Sequence, residues 1–182
     1  IVFAAITFAY FSPVLEGKRV KQHDIEMGKG MNHEIISYHE TSGEYSLWTN
    51  SMFGGMPAWN IFLPVETNPI TYVSRALNLY LPSPFGSVFI SMLGFFILLL
   101  VLDLGVWISA LGAIAYGFTS YMFIIIGAGH NTKALAMAYM APVIAGILLA
   151  YKGKYLWGSI LTSIALALQI KSNHLQITYY LL

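Results

Sequence analysis

Between residues 85 and 170 the chain consists of long apolar runs that only a few polar residues interrupt. A helix that crosses a membrane needs about 20 mostly apolar residues, with a range near 17–25. Charged residues make up 9% of the chain and hydrophobic residues 57%, whereas a soluble domain carries about 25% charged residues. Such a chain cannot cover a surface that faces water, so the sequence predicts a membrane protein.

The predicted fold class is all-α, a polytopic transmembrane helix bundle, because helices satisfy their own backbone hydrogen bonds in lipid. A large first loop, residues 16–84, should face outward and contain interfacial amphipathic helices. The chain starts and stops inside apolar runs, so we expect residues 1–182 to be the N-terminal part of a transmembrane domain in a longer chain. The predicted spans are residues 1–15, 85–102, 106–128, 133–151, 155–170 and 175–182 onward.

Counting crossings gives the sidedness of the polar breaks. Lys152 and Lys154 lie in a tight turn, and lysines are enriched in loops on the cytoplasmic side. If the turn with Lys152 and Lys154 is placed on the cytoplasmic side, residues 16–84 lie outside, together with the short breaks at residues 129–133 and 171–176. Lys133 and Lys171 then fall on the outer side, against the trend of the rule.

The first loop holds most of the acidic residues and three amphipathic or aromatic segments. Seven of the eight acidic residues fall there: Glu16, Asp24, Glu26, Glu34, Glu40, Glu44 and Glu66. Residues 24–38 predict a surface helix with an apolar stripe of Met27, Met31 and Ile35. Residues 48–59 are aromatic and glycine-rich, which suits a re-entrant or interfacial loop. A short amphipathic segment near residues 70–81 carries Arg75.

Several function classes are disfavoured by composition and motifs. The net charge of +1 is unlike that of a nucleic-acid binder, which needs a clustered basic face, so we expect no nucleic-acid partner. The chain has no cysteine, which excludes disulfides and thiol catalysis. A Walker-type phosphate loop, an HExxH motif and a G-x-S-x-G motif are all missing from the sequence.

The crossing order brings the remaining polar side chains to the face of the first loop. Ionisable groups at that depth are functional candidates, because burying them unpaired is costly. The candidates are Asp24, Glu34, Trp48 and Arg75 in the loop, and His130, Lys133, Lys171, His174 and Gln176 in the outer breaks.

Each candidate also has a structural interpretation. Asp24 could cap the surface helix, and the two histidines could sit at the headgroup level. The two lysines could extend to bulk lipid phosphates, and Trp48 could belong to an aromatic belt. Glu34 could be a solvated charge, and Arg75 could hold a headgroup or face water.

Four stretches carry a resemblance to a known family. They are Gln22-His-Asp24-Ile with Gly30-Met31-x-x-Glu34, Trp48-Thr-Asn-Ser-Met-Phe-Gly-Gly-Met-Pro57, Gly129-His-Asn-Thr-Lys133 and His174-Leu-Gln-Ile-Thr-Tyr-Tyr180. Together they resemble the bacterial YfhO-like integral membrane proteins, which are similar to the GT-C superfamily of polytopic glycosyltransferases. The resemblance extends over nearly the whole chain, and the stretch from Trp48 to Pro57 is its most specific part.

The resemblance implies a transferase that takes a sugar from a polyprenyl-phosphate carrier and passes it to an envelope glycan or lipid acceptor. The reaction would occur on the outer face of the bacterial cytoplasmic membrane. Asp24 would be the general base, and Lys133, Lys171 and Arg75 would hold the leaving phosphate. His130, His174 and Gln176 would position phosphate or sugar, and Glu34 and Trp48 would also contact substrate.

Some GT-C enzymes carry an adjacent acidic pair at the position of Asp24. Here Ile25 follows Asp24, and Glu26 points about 200° away from it in a helix. We therefore expect no metal and no other cofactor. Two other classes stay open: a transporter or lipid flippase, which needs polar groups at mid-membrane, and a non-catalytic envelope assembly protein.

Overall fold

The computed structural model describes residues 1–61, 68–82 and 84–181. Glu66, Ser83 and Leu182, which entered the sequence predictions, lie outside the described residues. The chain divides into two compact units. We call residues Ile1–Val20 with Pro69–Leu182 the helical unit, and residues Lys21–Asn68 the loop unit.

The described chain is mostly helical, with one small pair of strands. The helices are α1 Val2–Tyr10, α2 Ser12–Leu15, α3 His23–Ser42, α4 Ile70–Leu77, α5 Gly86–Val101, α6 Val106–Gly117, α7 Ser120–Ala128, α8 Asn131–Tyr151, α9 Tyr155–Lys171 and α10 Leu175–Leu181. The strands are β1 Trp48–Thr49 and β2 Met56–Pro57. All-α was thus the right class apart from this two-residue pair.

In the helical unit, α5 and α8 are the central helices. Helix α5 packs on α1, α6 and α8, while α8 also packs on α7, α9 and α10. The core beneath α1 and α7 is apolar and aromatic, centred on Val88, Met92 and Met122. A second cluster, with Ile90, Tyr139 and Leu168, joins α5, α8 and α9.

Small residues allow α8 to approach both of its main neighbours. A Cβ on Gly94 of α5 would lie 2.7 Å from Cδ of Pro142 in the middle of α8. A Cβ on Gly146 would lie 2.3 Å from Oγ1 of Thr162 and 2.7 Å from its backbone nitrogen on α9. These helices therefore meet backbone to backbone, and their spacing is fixed by the glycines.

Two of the predicted spans are confirmed as long apolar helical stretches. Among the described residues, Val106–Ala128 (23 residues) and Asn131–Tyr151 (21 residues) are long and apolar enough to cross a membrane. Helix α5 is apolar but shorter, with 16 residues. The span predicted at residues 106–128 is not one regular helix, since Phe118 and Thr119 separate α6 from α7.

One end of the helical unit is fastened by an ion pair. Lys152, which follows α8, donates to the carboxylate of Asp103 and to the carbonyl of Val101 at the end of α5. The hydrogen bond from Lys152, with the charges of Lys152 and Lys154, holds the pKa of Asp103 below its usual value. We call this the closed end.

The loop unit consists of α3 and a short hairpin. The predicted surface helix is longer than expected, running from His23 to Ser42, where Gly43 ends it in the left-handed conformation. Of its predicted apolar stripe, Ile35 is buried whereas Met27 and Met31 are exposed. Strands β1 and β2 pair antiparallel, Trp48 opposite Pro57 and Thr49 opposite Met56.

Candidate functional site

Five basic side chains gather at the end of the helical unit opposite the closed end. His130 and Lys133 lie at the start of α8, Lys171 and His174 lie where α9 gives way to α10, and Arg75 lies in the last turn of α4. Lys133 and Lys152 are separated by the length of α8, about 30 Å. We call these five residues the basic end.

The side chains of the basic end act on one another electrostatically. Burial lowers the pKa of the Lys171 amine, and the positive charge of Arg75 lowers it further. Burial also lowers the pKa of His174, to which Lys133 and His130 add their charges. Positive charges that lower the pKa of Lys171 and His174 in this way favour an anion near these two side chains.

Carboxylates of the same unit do not neutralise this charge. The helical unit has two acidic side chains in its sequence, Glu16 and Asp103. Glu16 pairs with Lys18 at 2.8 Å, and Asp103 pairs with Lys152 at the closed end. Both acidic side chains of this unit are thus paired with lysines other than Lys133 and Lys171.

Two neighbours shape the basic end. The Lys133 amine lies 5.3 Å from the ring centroid of Tyr121 on α7, a distance typical of a cation–π contact. Arg75 lines a cavity of about 350 Å³ together with Ser74, Asn78, Tyr80, Leu81 and Leu135. The basic end therefore has a cavity beside one of its five residues.

Gln176 is placed on α10 beyond His174. Its side-chain amide donates to the Tyr180 hydroxyl at 2.7 Å, four residues along the exposed face of the helix. The structure therefore brings Arg75, His130, Lys133, Lys171 and His174 together, while the Gln176 amide is engaged with Tyr180.

Asp24, Glu34 and Trp48 belong to the loop unit. Asp24 is half-buried in the first turn of α3, near the positive end of the helix dipole. The N-cap residue is Gln22, so the alternative that Asp24 caps the helix is wrong. Its role as a base stays a prediction.

Glu34 ties the hairpin to α3. Its Oε2 accepts hydrogen bonds from the Thr49 hydroxyl and from the backbone N–H groups of Asn50 and Ser51, the latter two at 2.9 Å. These bonds, that of Thr49 above all, hold the pKa of Glu34 below its usual value. The alternative of a merely solvated charge is wrong, and a contact with substrate stays a prediction.

Trp48 packs across the hairpin onto Gly55. A Cβ on Gly55 would lie 2.7 Å from the indole Nε1, and the φ of +120° at this residue also requires glycine. About half of the Trp48 side chain remains exposed. The indole thus has a structural partner and a free face.

Sequence reasoning missed two neighbours of the candidate site. Tyr121 meets Lys133 although twelve residues separate them, and no local pattern links the two. Gln169 is fully buried in α9, where its amide lies 3.5 Å from the carbonyl of Ala136 on α8. A lone glutamine near the end of an apolar run was the available signal for the second residue.

Across residues 1–61, 68–82 and 84–181, no three His, Asp or Glu side chains lie together as a metal site requires. The chain matches no protein-family model, no curated protein and no solved structure.

Proposed function

We propose that the protein is a multi-pass GT-C-type glycosyltransferase of the bacterial cytoplasmic membrane. It moves a sugar from a polyprenyl-phosphate carrier to an envelope glycan or lipid acceptor on the outer face. The observation that supports this best is the basic end, where five cationic or titratable side chains lie at one end of the helical unit, while Glu16 and Asp103 pair with other lysines. A lipid-linked phosphate has the charge and the location that such a site suits.

In the proposed reaction, the bond between the anomeric carbon and the phosphate oxygen breaks. The leaving phosphate gains negative charge, which Arg75, Lys133 and Lys171 stabilise by charge-assisted contacts. The acceptor oxygen forms the new bond to the anomeric carbon, and its proton passes to the Asp24 carboxylate. His130, His174 and Gln176 orient the phosphate or sugar.

The positions of the charges favour interfacial chemistry over transport. Residues 86–101, 106–128, 134–151 and 155–170 contain no Asp, Glu, Lys or Arg. A transporter that binds its substrate at mid-membrane needs polar or ionisable groups at that depth. The charged groups of this chain lie at the helix ends and in the loop unit instead.

The test replaces Asp24 with Asn in the bacterial gene and compares that strain with a deletion strain. Mass spectrometry of envelope glycans and lipid-linked sugars should show the same accumulated carrier-linked sugar in both. Glu26→Gln is the matched control, because Glu26 lies in the same helical turn and pairs with Lys29 at 2.8 Å. A normal glycan profile in the Asp24→Asn strain would rule out this mechanism, and one in the deletion strain would rule out the function.

A further inference from the structure

The tip of the hairpin in the loop unit presents an apolar ring to its surroundings. Phe53 lies between β1 and β2 and is 90% exposed. Its φ of +53° lies in the left-handed region, as do those of Gly54 and Gly55 that follow. A bulky residue rarely adopts this conformation, so the hairpin holds the ring outward at a conformational cost.

The tip is fastened from below at several points. Glu34 of α3 accepts hydrogen bonds from the Thr49 hydroxyl and from the N–H groups of Asn50 and Ser51. The Ser51 hydroxyl donates to the carbonyl of Met31 at 3.3 Å. Because these bonds fix the residues just before Phe53, the ring is presented by an ordered support.

The hairpin segment around the tip is uncharged and rich in aromatic residues. Residues 45–61 contain no Asp, Glu, Lys or Arg, in a loop that otherwise holds most of the acidic residues of the chain. Trp48 and Trp59 are both about half exposed. On α3, the exposed Met27 and Met31 lie one turn apart, and Met31 contacts the hairpin through its carbonyl.

This combination points to one kind of partner. Trp, Tyr and Phe are favoured at the membrane–water interface, and an uncharged aromatic tip enters the headgroup region without desolvating an ion. The same chain also carries helices long and apolar enough to cross a membrane. When these helices are inserted, a bilayer is available as the partner of the tip.

We infer that the hairpin tip is a membrane-insertion element: Phe53 enters the lipid interface, and the half-exposed Trp48 and Trp59 of the same hairpin segment add aromatic surface. Glu34 is the positioning residue that holds the tip in its inserting conformation. This inference goes beyond the proposed function, because it depends on a bilayer and not on sugar transfer.

The test uses the full chain in lipid nanodiscs of phosphatidylcholine and phosphatidylglycerol. Since the chain has no cysteine, Phe53→Cys introduces a single site for an environment-sensitive fluorophore. Glu40→Cys is the matched control, an exposed position on α3 of the same unit. Brominated lipids report contact with the acyl region, and iodide reports contact with water.

The label at residue 53 should emit at shorter wavelength than the label at residue 40 and lose most of its fluorescence to brominated lipid, while iodide quenches mainly the label at residue 40. Equal iodide quenching at both positions, without quenching by brominated lipid at residue 53, would overturn the inference and indicate a tip that faces water or a protein. Neither result depends on transferase activity, so this inference and the proposed function can fail separately.

Discussion

The two ends of the helical unit treat charge in opposite ways. At the closed end, Lys152 is matched by Asp103 and by the Val101 carbonyl. At the basic end, Lys171 faces the charge of Arg75, and His174 faces those of Lys133 and His130. The lysine at the closed end thus has an anionic partner from the same unit, whereas the basic end accumulates positive charge.

This difference separates a structural charge from a functional candidate. A paired lysine needs no further ligand, whereas clustered cations raise one another's free energy until an anion binds. Lysines are found at both ends, so residue type alone does not distinguish the two ends. The positions of the carboxylates distinguish them.

The largest expected effect comes from exchanging a lysine at each end of α9. Lys171→Gln should lower sugar transfer from a polyprenyl-phosphate donor by about 100-fold, because it removes a group that stabilises the developing phosphate charge. Lys154→Gln, at the start of the same helix, should leave the rate unchanged. Radiolabelled transfer in reconstituted membranes measures both, and equal losses would abolish the distinction between the ends.

A second test concerns the helix contact that joins the two ends. Gly146→Ala should lower the free energy of unfolding by about 1–3 kcal/mol, because its Cβ would meet the backbone nitrogen of Thr162 at 2.7 Å. Gly127→Ala is the control, since a Cβ there meets nothing within 4 Å. Denaturant titration in detergent micelles gives both values, and equal stability of the two variants would contradict the close approach of α8 and α9.

The loop unit offers a third case for this comparison, because Glu34 is a carboxylate that already accepts hydrogen bonds from its own unit. Its pKa in the folded chain lies below its ordinary value of 4.5. The stabilisation is therefore complete above that ordinary value and is lost as the pH falls through the lower, folded pKa. Limited proteolysis should show the hairpin becoming cleavable at acidic pH.

In the Glu34→Gln variant the hairpin should be cleaved faster at neutral pH, and its response to acid should weaken. Glu40→Gln should behave like the wild type, because Glu40 is exposed on the same helix. If the Glu34→Gln variant kept the wild-type pH profile of cleavage, another titratable group would be responsible for the response to acid.

The smallest effect is expected at the closed end. Asp103 is largely exposed and Lys152 is partly exposed to solvent, and ion pairs that water reaches contribute little because water and salt screen them. Asp103→Asn and Lys152→Gln should each lower the melting temperature slightly, and the double variant should lose little more than either one. A large fall of the melting temperature that persists at high salt would show that this ion pair contributes more to stability than expected here.

Apolar length predicted most of the helices of the helical unit. Runs at residues 85–102, 133–151 and 155–170 became α5, α8 and α9 with boundaries shifted by at most two residues. The break at Phe118 and Thr119 escaped prediction, because both residues suit an apolar helix and neither is a strong breaker.

Fewer features of the candidate site were predicted, because its contacts depend on how separate elements pack together. Counting crossings grouped Lys133 with Lys171 and His174, since helix ends follow from chain order. The bonds to Glu34 from Thr49, Asn50 and Ser51 depend on a hairpin that no periodic pattern reveals. The cation–π contact of Lys133 with Tyr121 likewise depends on how α7 and α8 pack.

Gly94 and Pro142 form a pair whose consequence belongs to evolution. Proline inside α8 supplies no N–H to the preceding turn, and a Cβ on Gly94 would strike its ring and lie 3.2 Å from the Ala138 carbonyl. Position 94 is not free to change alone, because a larger residue there requires the ring at 142 to leave first. Among descendants of this sequence, a substitution at 94 should therefore follow one at 142.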